Sequence, residues 1–128
     1  MPSLLIDSHV LIWLIYQPER IGLQAKQAIE QAEEVYISAV SLWELALKHS
    51  KNKLSYTPAE ISGGANALNL ARLQIEDQHI AGLKNLNLPH SDPFDNMITA
   101  QAIAEDLTIV TIDQNILRSG CSVLDVSK

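Results

Sequence analysis

Short apolar runs alternate with longer amphipathic stretches along this chain. Residues 3–6 are apolar and stop at Asp7, the signature of a buried strand. Residues 9–16 are apolar on every side, with Trp13 among them, and predict a buried helix broken by Gln17-Pro18-Glu19-Arg20. Over residues 22–34, Leu23, Ala25, Ala28, Ile29 and Ala32 recur among Gln, Lys and Glu, the spacing of an amphipathic helix. Residues 35–38 read as a second strand. Residues 39–50 read as a helix carrying Glu44 among Val40, Leu42, Trp43, Leu45 and Leu47, and both tryptophans are expected in the core. Thr57-Pro58-Ala59-Glu60 starts a further helix with Pro at its first position, and Gly63-Gly64 predicts a flexible turn.

Residues 72–75 predict a short strand and residues 77–86 a helix capped by Asp77. In the stretch that begins His90-Ser91-Asp92-Pro93-Phe94-Asp95, Pro93 disfavours helix at Asp92, so the chain arrives as a turn. Asp95 then stands as the N-cap of a helix that meets no breaker before Leu107, with Ala100, Ala102 and Ala104 small enough for close packing on a sheet. Residues 107–112 are β-branched, bounded by acids, and form the clearest strand; Asp113 ends it. Gly120 turns the chain into a last short strand at 122–126. Strands and helices alternate throughout. The expectation is an α/β fold, a four- to five-stranded mainly parallel sheet with helices on both faces, in a single domain over residues 1–128.

Composition narrows the function. The 47% hydrophobic content fits a globular chain, and no apolar run approaches the roughly 18 residues of a membrane span. The start lacks the features of a signal peptide, and a lone cysteine, Cys121, fits a reducing compartment, so the expected location is cytoplasmic. A net charge of −6 argues against a passive nucleic-acid coat held by counterion release. It leaves room for an enzyme that acts on nucleic acid through bound cations.

Four acids share an address. In open α/β sheets, ligands sit at the carboxyl ends of the strands. Asp7 and Asp113 directly follow strands, Asp95 opens the helix leading into the last long strand, and Glu44 lies about one turn into its helix. Each has an ordinary alternative: Asp7 and Asp113 as caps, Ser41 to Glu44 as a capping box, Glu44 and Lys48 as an i,i+4 pair. Gathered together, however, carboxylates a few ångströms apart repel by about 4 kcal/mol per pair, so such a cluster keeps protons or binds a cation. An all-oxygen ligand set, without Cys or His at zinc spacing, points to Mg²⁺ with Mn²⁺ as substitute. A hydrated divalent ion in an acidic pocket suits phosphodiester hydrolysis by metal-activated water. The best ligands are Asp7, Glu44 and Asp95, with Asp113 completing the set directly or through water. Asp92 is the weaker of its pair, an orienting or turn residue. Ser8 and Ser38 are candidates to orient ligands or to cap helices, and Lys48, Lys51 and Lys53 are a solvated face or candidates to grip substrate phosphates beside the acids.

The motifs Leu5-Ile6-Asp7-Ser8-His9-Val10-Leu11-Ile12-Trp13, Ser38-Ala39-Val40-Ser41-Leu42-Trp43-Glu44, His90 to Asp95 with Ala100-Gln101-Ala102, and Thr111-Ile112-Asp113 occur in this order. Together they closely resemble PIN-domain proteins of the VapC type, the toxin half of type II toxin–antitoxin pairs. The resemblance implies a Rossmann-like PIN domain, Mg²⁺-dependent endoribonuclease activity, homodimerisation and inhibition by a cognate VapB-type antitoxin. It also implies that Asp7, Glu44, Asp95 and Asp113 form the acidic quartet. Asn96 stands where these proteins often have Arg, and Thr99 replaces an aliphatic residue, on the side of Asp95 where it can hydrogen-bond that acid or a bound water. Ile116, Leu117 and Arg118 replace the usual aromatics. A different class of function is a non-catalytic PIN-fold binding module acting through a protein partner. A receiver-like phosphate acceptor fits poorly, because Ser8 replaces its paired acid and no Lys lies between Asn85 and Cys121.

Overall fold

The computed structural model describes residues 2–86 and 92–128. His90 and Ser91, the first two residues of the third motif, lie outside the described residues. Strands β1 (Leu4–Ile6), β2 (Val35–Ser38), β3 (Ala71–Leu73), β4 (Thr108–Thr111) and β5 (Val123–Asp125) form one sheet in the order β3-β2-β1-β4-β5. Every pairing is parallel. The helices are α1 (Ser8–Tyr16), α2 (Leu23–Gln31), α3 (Ala39–Ser50), α4 (Pro58–Ala67), α5 (Asp77–Gly82), α6 (Pro93–Glu105) and α7 (Gln114–Leu117).

A parallel sheet needs apolar side chains on both faces, because its crossover helices cover both. The strands supply them by alternation. Leu4, Ile6, Ile37 and Val110 point into one core with Val10, Leu11, Ala25, Leu45, Ile61 and Ala65 from the helices. Leu5 and Ile109 point into the other, with Val40, Ile98, Ala102 and Ile116. Helix α3 contributes to both cores, so it straddles the end of the sheet and brings Glu44 in from the side. On the α6 side, buried His79 of α5 accepts the Glu76 N–H at Nδ1 (3.0 Å), which leaves Nε2 to donate to Glu105 of α6 at 2.7 Å. A buried amide joins α6 to the sheet. Gln101 Oε1 accepts from the Ser38 hydroxyl at 2.6 Å, while its Nε2 donates to the Gln74 carbonyl at 3.2 Å.

Several local expectations are corrected. Helix α6 starts at Pro93, so its N-cap is Asp92, whose Oδ1 accepts from the N–H groups of Phe94 and Asp95; Asp95 is the third helical residue. Proline's fixed φ and missing N–H suit the first helical position, and this sets the start three residues earlier than expected. Likewise Asp77 lies inside α5, and Glu76 is the cap. Ala104 is exposed, whereas Ala100 and Ala102 are buried. Helix α1 is half-buried from Ile12 onward rather than buried all round. Trp13 is half-buried beneath the Arg20 guanidinium, 4.1 Å from its ring. Trp43 is 57% exposed and is not a core residue.

Gly63 and Gly64 do not turn the chain; both lie within α4. Helix packing explains the second of them. A Cβ on Gly64 would stand 2.6 Å from Ile15 Cδ1 of α1, whereas one on Gly63 would meet nothing within 4 Å. The two glycines should therefore respond oppositely to one methyl group. Gly63→Ala is expected to stabilise the fold by about 0.5–1 kcal/mol through helix propensity. Gly64→Ala should cost about 1–3 kcal/mol by overpacking the α1–α4 contact. Thermal or urea unfolding of the two variants checks the pair, and equal shifts would contradict this packing.

Candidate functional site

The parallel registers set the site. Ile6 is level with Ile37 and with Val110, so the next residues, Asp7, Ser38 and Thr111, emerge together at the carboxyl edge. The strand order reverses between β1 and β4, and such a switch point opens a crevice where ligands of open α/β sheets bind. Asp7 and Asp113 follow the two strands that flank it.

Asp7 caps α1, its Oδ1 accepting from the Ser8 N–H at 2.7 Å and its Oδ2 from the Thr111 hydroxyl at 2.8 Å. It is only 4% exposed. Burial raises its pKa above the ordinary carboxylate value, and nearby Glu44 adds to the rise, while the two hydrogen bonds and His9 oppose it. Thr111 also accepts the Asp113 N–H at 3.0 Å, so one hydroxyl ties Asp7 to the turn that carries Asp113. Thr111 was not among the candidates from sequence. Its signal was positional, as the last residue of a strand whose side chain must point toward the acid two residues on.

Glu44 does not form the capping box with Ser41, since the cap of α3 is Ser38, which accepts from the Val40 N–H at 3.0 Å. Instead Glu44 Oε1 accepts from the Ser8 hydroxyl at 2.6 Å, and its Oε2 lies 3.7 Å from Lys48 Nζ. Ser8 thus holds two acids at once, Asp7 through its N–H and Glu44 through its hydroxyl. Ser38 has a structural role, capping α3 and donating to Gln101.

Asp95 is 7% exposed, and its pKa is pushed up to about 8. Burial is the largest cause, followed by the charges of Asp7, Asp92, Asp113 and Glu44. Asp95 thus feels the charge of each of the other three expected acids and of Asp92. Among the described residues, no three or more His, Cys, Asp or Glu side chains are gathered closely enough to enclose an ion. Asp113 spends Oδ1 on the N–H groups of Asn115 and Ile116 as the cap of α7. Thr99 does not bond the Asp95 carboxyl; its hydroxyl donates to the Asp95 backbone carbonyl at 2.8 Å. Asn96 Oδ1 is buried with no hydrogen-bond partner among the described residues. Lys51 and Lys53 are exposed beyond the end of α3.

Two buried carboxylates, Asp7 and Asp95, with Glu44, Asp92 and Asp113 acting on Asp95, define an α/β protein with an acidic edge at the switch point of a five-stranded parallel sheet. The chain belongs to the PIN-domain family, whose profile it matches over residues 4–120. It is similar to ribonuclease VapC22 of Mycobacterium tuberculosis, with 31% identity over 119 residues covering 91% of each chain. The fold is also shared with VapBC2 from Rickettsia felis bound to a promoter DNA fragment, at TM-score 0.72, 17% identity and coverage of 95% of this chain and 97% of that one. DNA-bound VapBC from Salmonella typhimurium aligns at TM-score 0.70, 21% identity and 98% of both chains.

Because the folded chain holds the Asp95 proton more tightly than the unfolded chain does, ionisation is penalised once pH exceeds the ordinary Asp value of 3.8. The penalty grows until pH reaches about 8. In metal-free buffer Asp95→Asn should therefore be more stable than the parent at pH 8, and the gap should shrink toward pH 5. Each kcal/mol relieved raises the melting midpoint by about 3–6 °C in a domain of this size. A gap that is absent or independent of pH would contradict this electrostatic picture.

Proposed function

We propose that this chain is a Mg²⁺-dependent endoribonuclease, the toxin component of a type II toxin–antitoxin module, formed as a single PIN domain. The observation that carries the reading is the placing of Asp7, Glu44, Asp92 and Asp113 around buried Asp95, each of them helping to push its pKa up to about 8. Such a site is short of positive charge. Its donors are all oxygen, which fits Mg²⁺, or Mn²⁺ as a substitute. Asp7, Glu44 and Asp95 would hold the ion, with Asp113 joining directly or through water; because these side chains do not by themselves enclose an ion, part of that hold would run through the ion's own water, as is usual for Mg²⁺.

When bound, the ion supplies Lewis acidity toward phosphoryl oxygens and lowers the pKa of water for attack. The remaining work falls to this chain. The Ser8 and Thr111 hydroxyls hold the Glu44 and Asp7 carboxylates in fixed orientations. Asp95 gives up its proton as positive charge enters the cluster. Lys48, Lys51 and Lys53 bind RNA phosphates, with Lys48 exchanging its Glu44 contact for the substrate.

The relative named as a ribonuclease supports this activity, and the similar folds found in VapBC complexes support a VapB-type antitoxin as partner. A homodimer acting in the cytoplasm is part of the same reading. Among the described residues, no helix is long and apolar enough to cross a membrane.

Purified protein should cleave RNA with Mg²⁺ or Mn²⁺ and stop in EDTA. Ser8→Ala or Thr111→Val should weaken Mn²⁺ binding about 10–100-fold, the usual cost of losing a group that orients a ligand. Asp7→Asn should cost more and relieve growth arrest on induced expression. Absence of cleavage with either metal, with antitoxin binding intact in the Asp7 variant, would instead favour a non-catalytic binding module.

A further inference from the structure

The exposure of Trp43 is unexpected for a large apolar ring, and its position is informative. Trp43 precedes Glu44 on α3, and Phe94 precedes Asp95 on α6. The two rings meet edge to face, with centroids 5.0 Å apart and planes at 68°. The contact that joins the aromatics thus lies one residue from the contact region that joins the acids. Phe94 is half-buried and anchored in the second core, so it braces an indole that remains 57% exposed. A braced ring loses little rotamer freedom when a second ring stacks on it. Further along α3 comes Lys48, and just past the helix end the exposed Lys51 and Lys53. The helix and the turn that follows it therefore present, in order, an open aromatic face, an acid of the cluster and a set of cations.

That order fits a single-stranded nucleic acid. Proteins that hold such strands pair cations along the backbone with aromatic rings under the bases. We propose that the Trp43 indole, braced by Phe94, is a stacking platform for a base of single-stranded RNA next to the phosphodiester presented to the acids. The inference rests on the ribonuclease reading and adds to it a contact that favours unpaired RNA and large bases.

The test uses eight-nucleotide oligoadenylate and oligouridylate, labelled for anisotropy, with the Asp95→Asn protein as a non-cleaving parent. Adding Trp43→Ala should weaken oligoadenylate binding about 5- to 150-fold. Trp43→Phe, which keeps a ring, should lose clearly less, and the loss for oligouridylate should be smaller. Lys51→Ala should weaken both strands equally and flatten the salt dependence. In a Trp13→Phe background, saturation with oligoadenylate should quench the remaining indole emission. Equal affinity of the parent and Trp43→Ala for both strands would overturn the platform. So would a change from dimer to monomer in Trp43→Ala with RNA affinity per protomer unchanged, which would assign the ring to contact between copies. The two readings fail separately: RNA cleavage by the protein with Asp95 intact, unaffected by Trp43→Ala, removes only the platform. Failure of that protein to cleave or bind RNA removes both.

Discussion

Burying carboxylates beside one another at the end of a sheet is unfavourable, and the rest of this structure is arranged so that it nonetheless happens. Desolvation and like charge both disfavour ionisation of Asp95, whose pKa stands near 8. Asp7 is as deeply buried but keeps two donors, the Ser8 N–H and the Thr111 hydroxyl, that favour its charged form. The cluster is thus asymmetric. Both carboxyls are pushed above the ordinary carboxylate value by burial; at Asp7 the two donors oppose that rise, whereas at Asp95 the charges of the neighbouring acids add to it.

The fold supplies that arrangement through register. With all strands parallel, the residues after β1, β2 and β4 must emerge on one edge, and the 3-2-1-4-5 order opens the crevice between Asp7 and the Thr111 turn. Two polar links fix the helices that bring the other acids. The Ser8–Glu44 hydrogen bond ties α1 to α3, and the Ser38–Gln101 bond ties α3 to α6. Both are charged or buried amide contacts whose loss would leave polar atoms unsatisfied, so they hold geometry more firmly than apolar packing alone.

The strands, the sequence of elements and the shared edge of the acids were legible because β-branched runs and strand-terminal acids leave strong local patterns. What the sequence misled about followed from weighing local signals alone. Two aspartates around a proline offered two possible caps, and the helical preference of Pro93 decided for Asp92. Gly63-Gly64 resembled a turn, but close contact with Ile15 of α1 uses Gly64 within a helix. Trp43 was assigned to the core by hydrophobicity, although helical phase places it outside, next to Glu44. Thr111 escaped notice because its role depends on Asp7, more than a hundred residues away. No local pattern carries such a contact.

The central claim is that the acid cluster holds a proton which a hard cation displaces. Calorimetric titration of the metal-free protein with Mg²⁺ at pH 7, in buffers of different ionisation enthalpy, measures that displacement directly. With a pKa near 8, the Asp95 share of the release should approach one proton, about 0.9 per protein, and the release should fall by that share in Asp95→Asn. Mg²⁺ binding without proton release, or equal release from Asp95→Asn, would contradict the account.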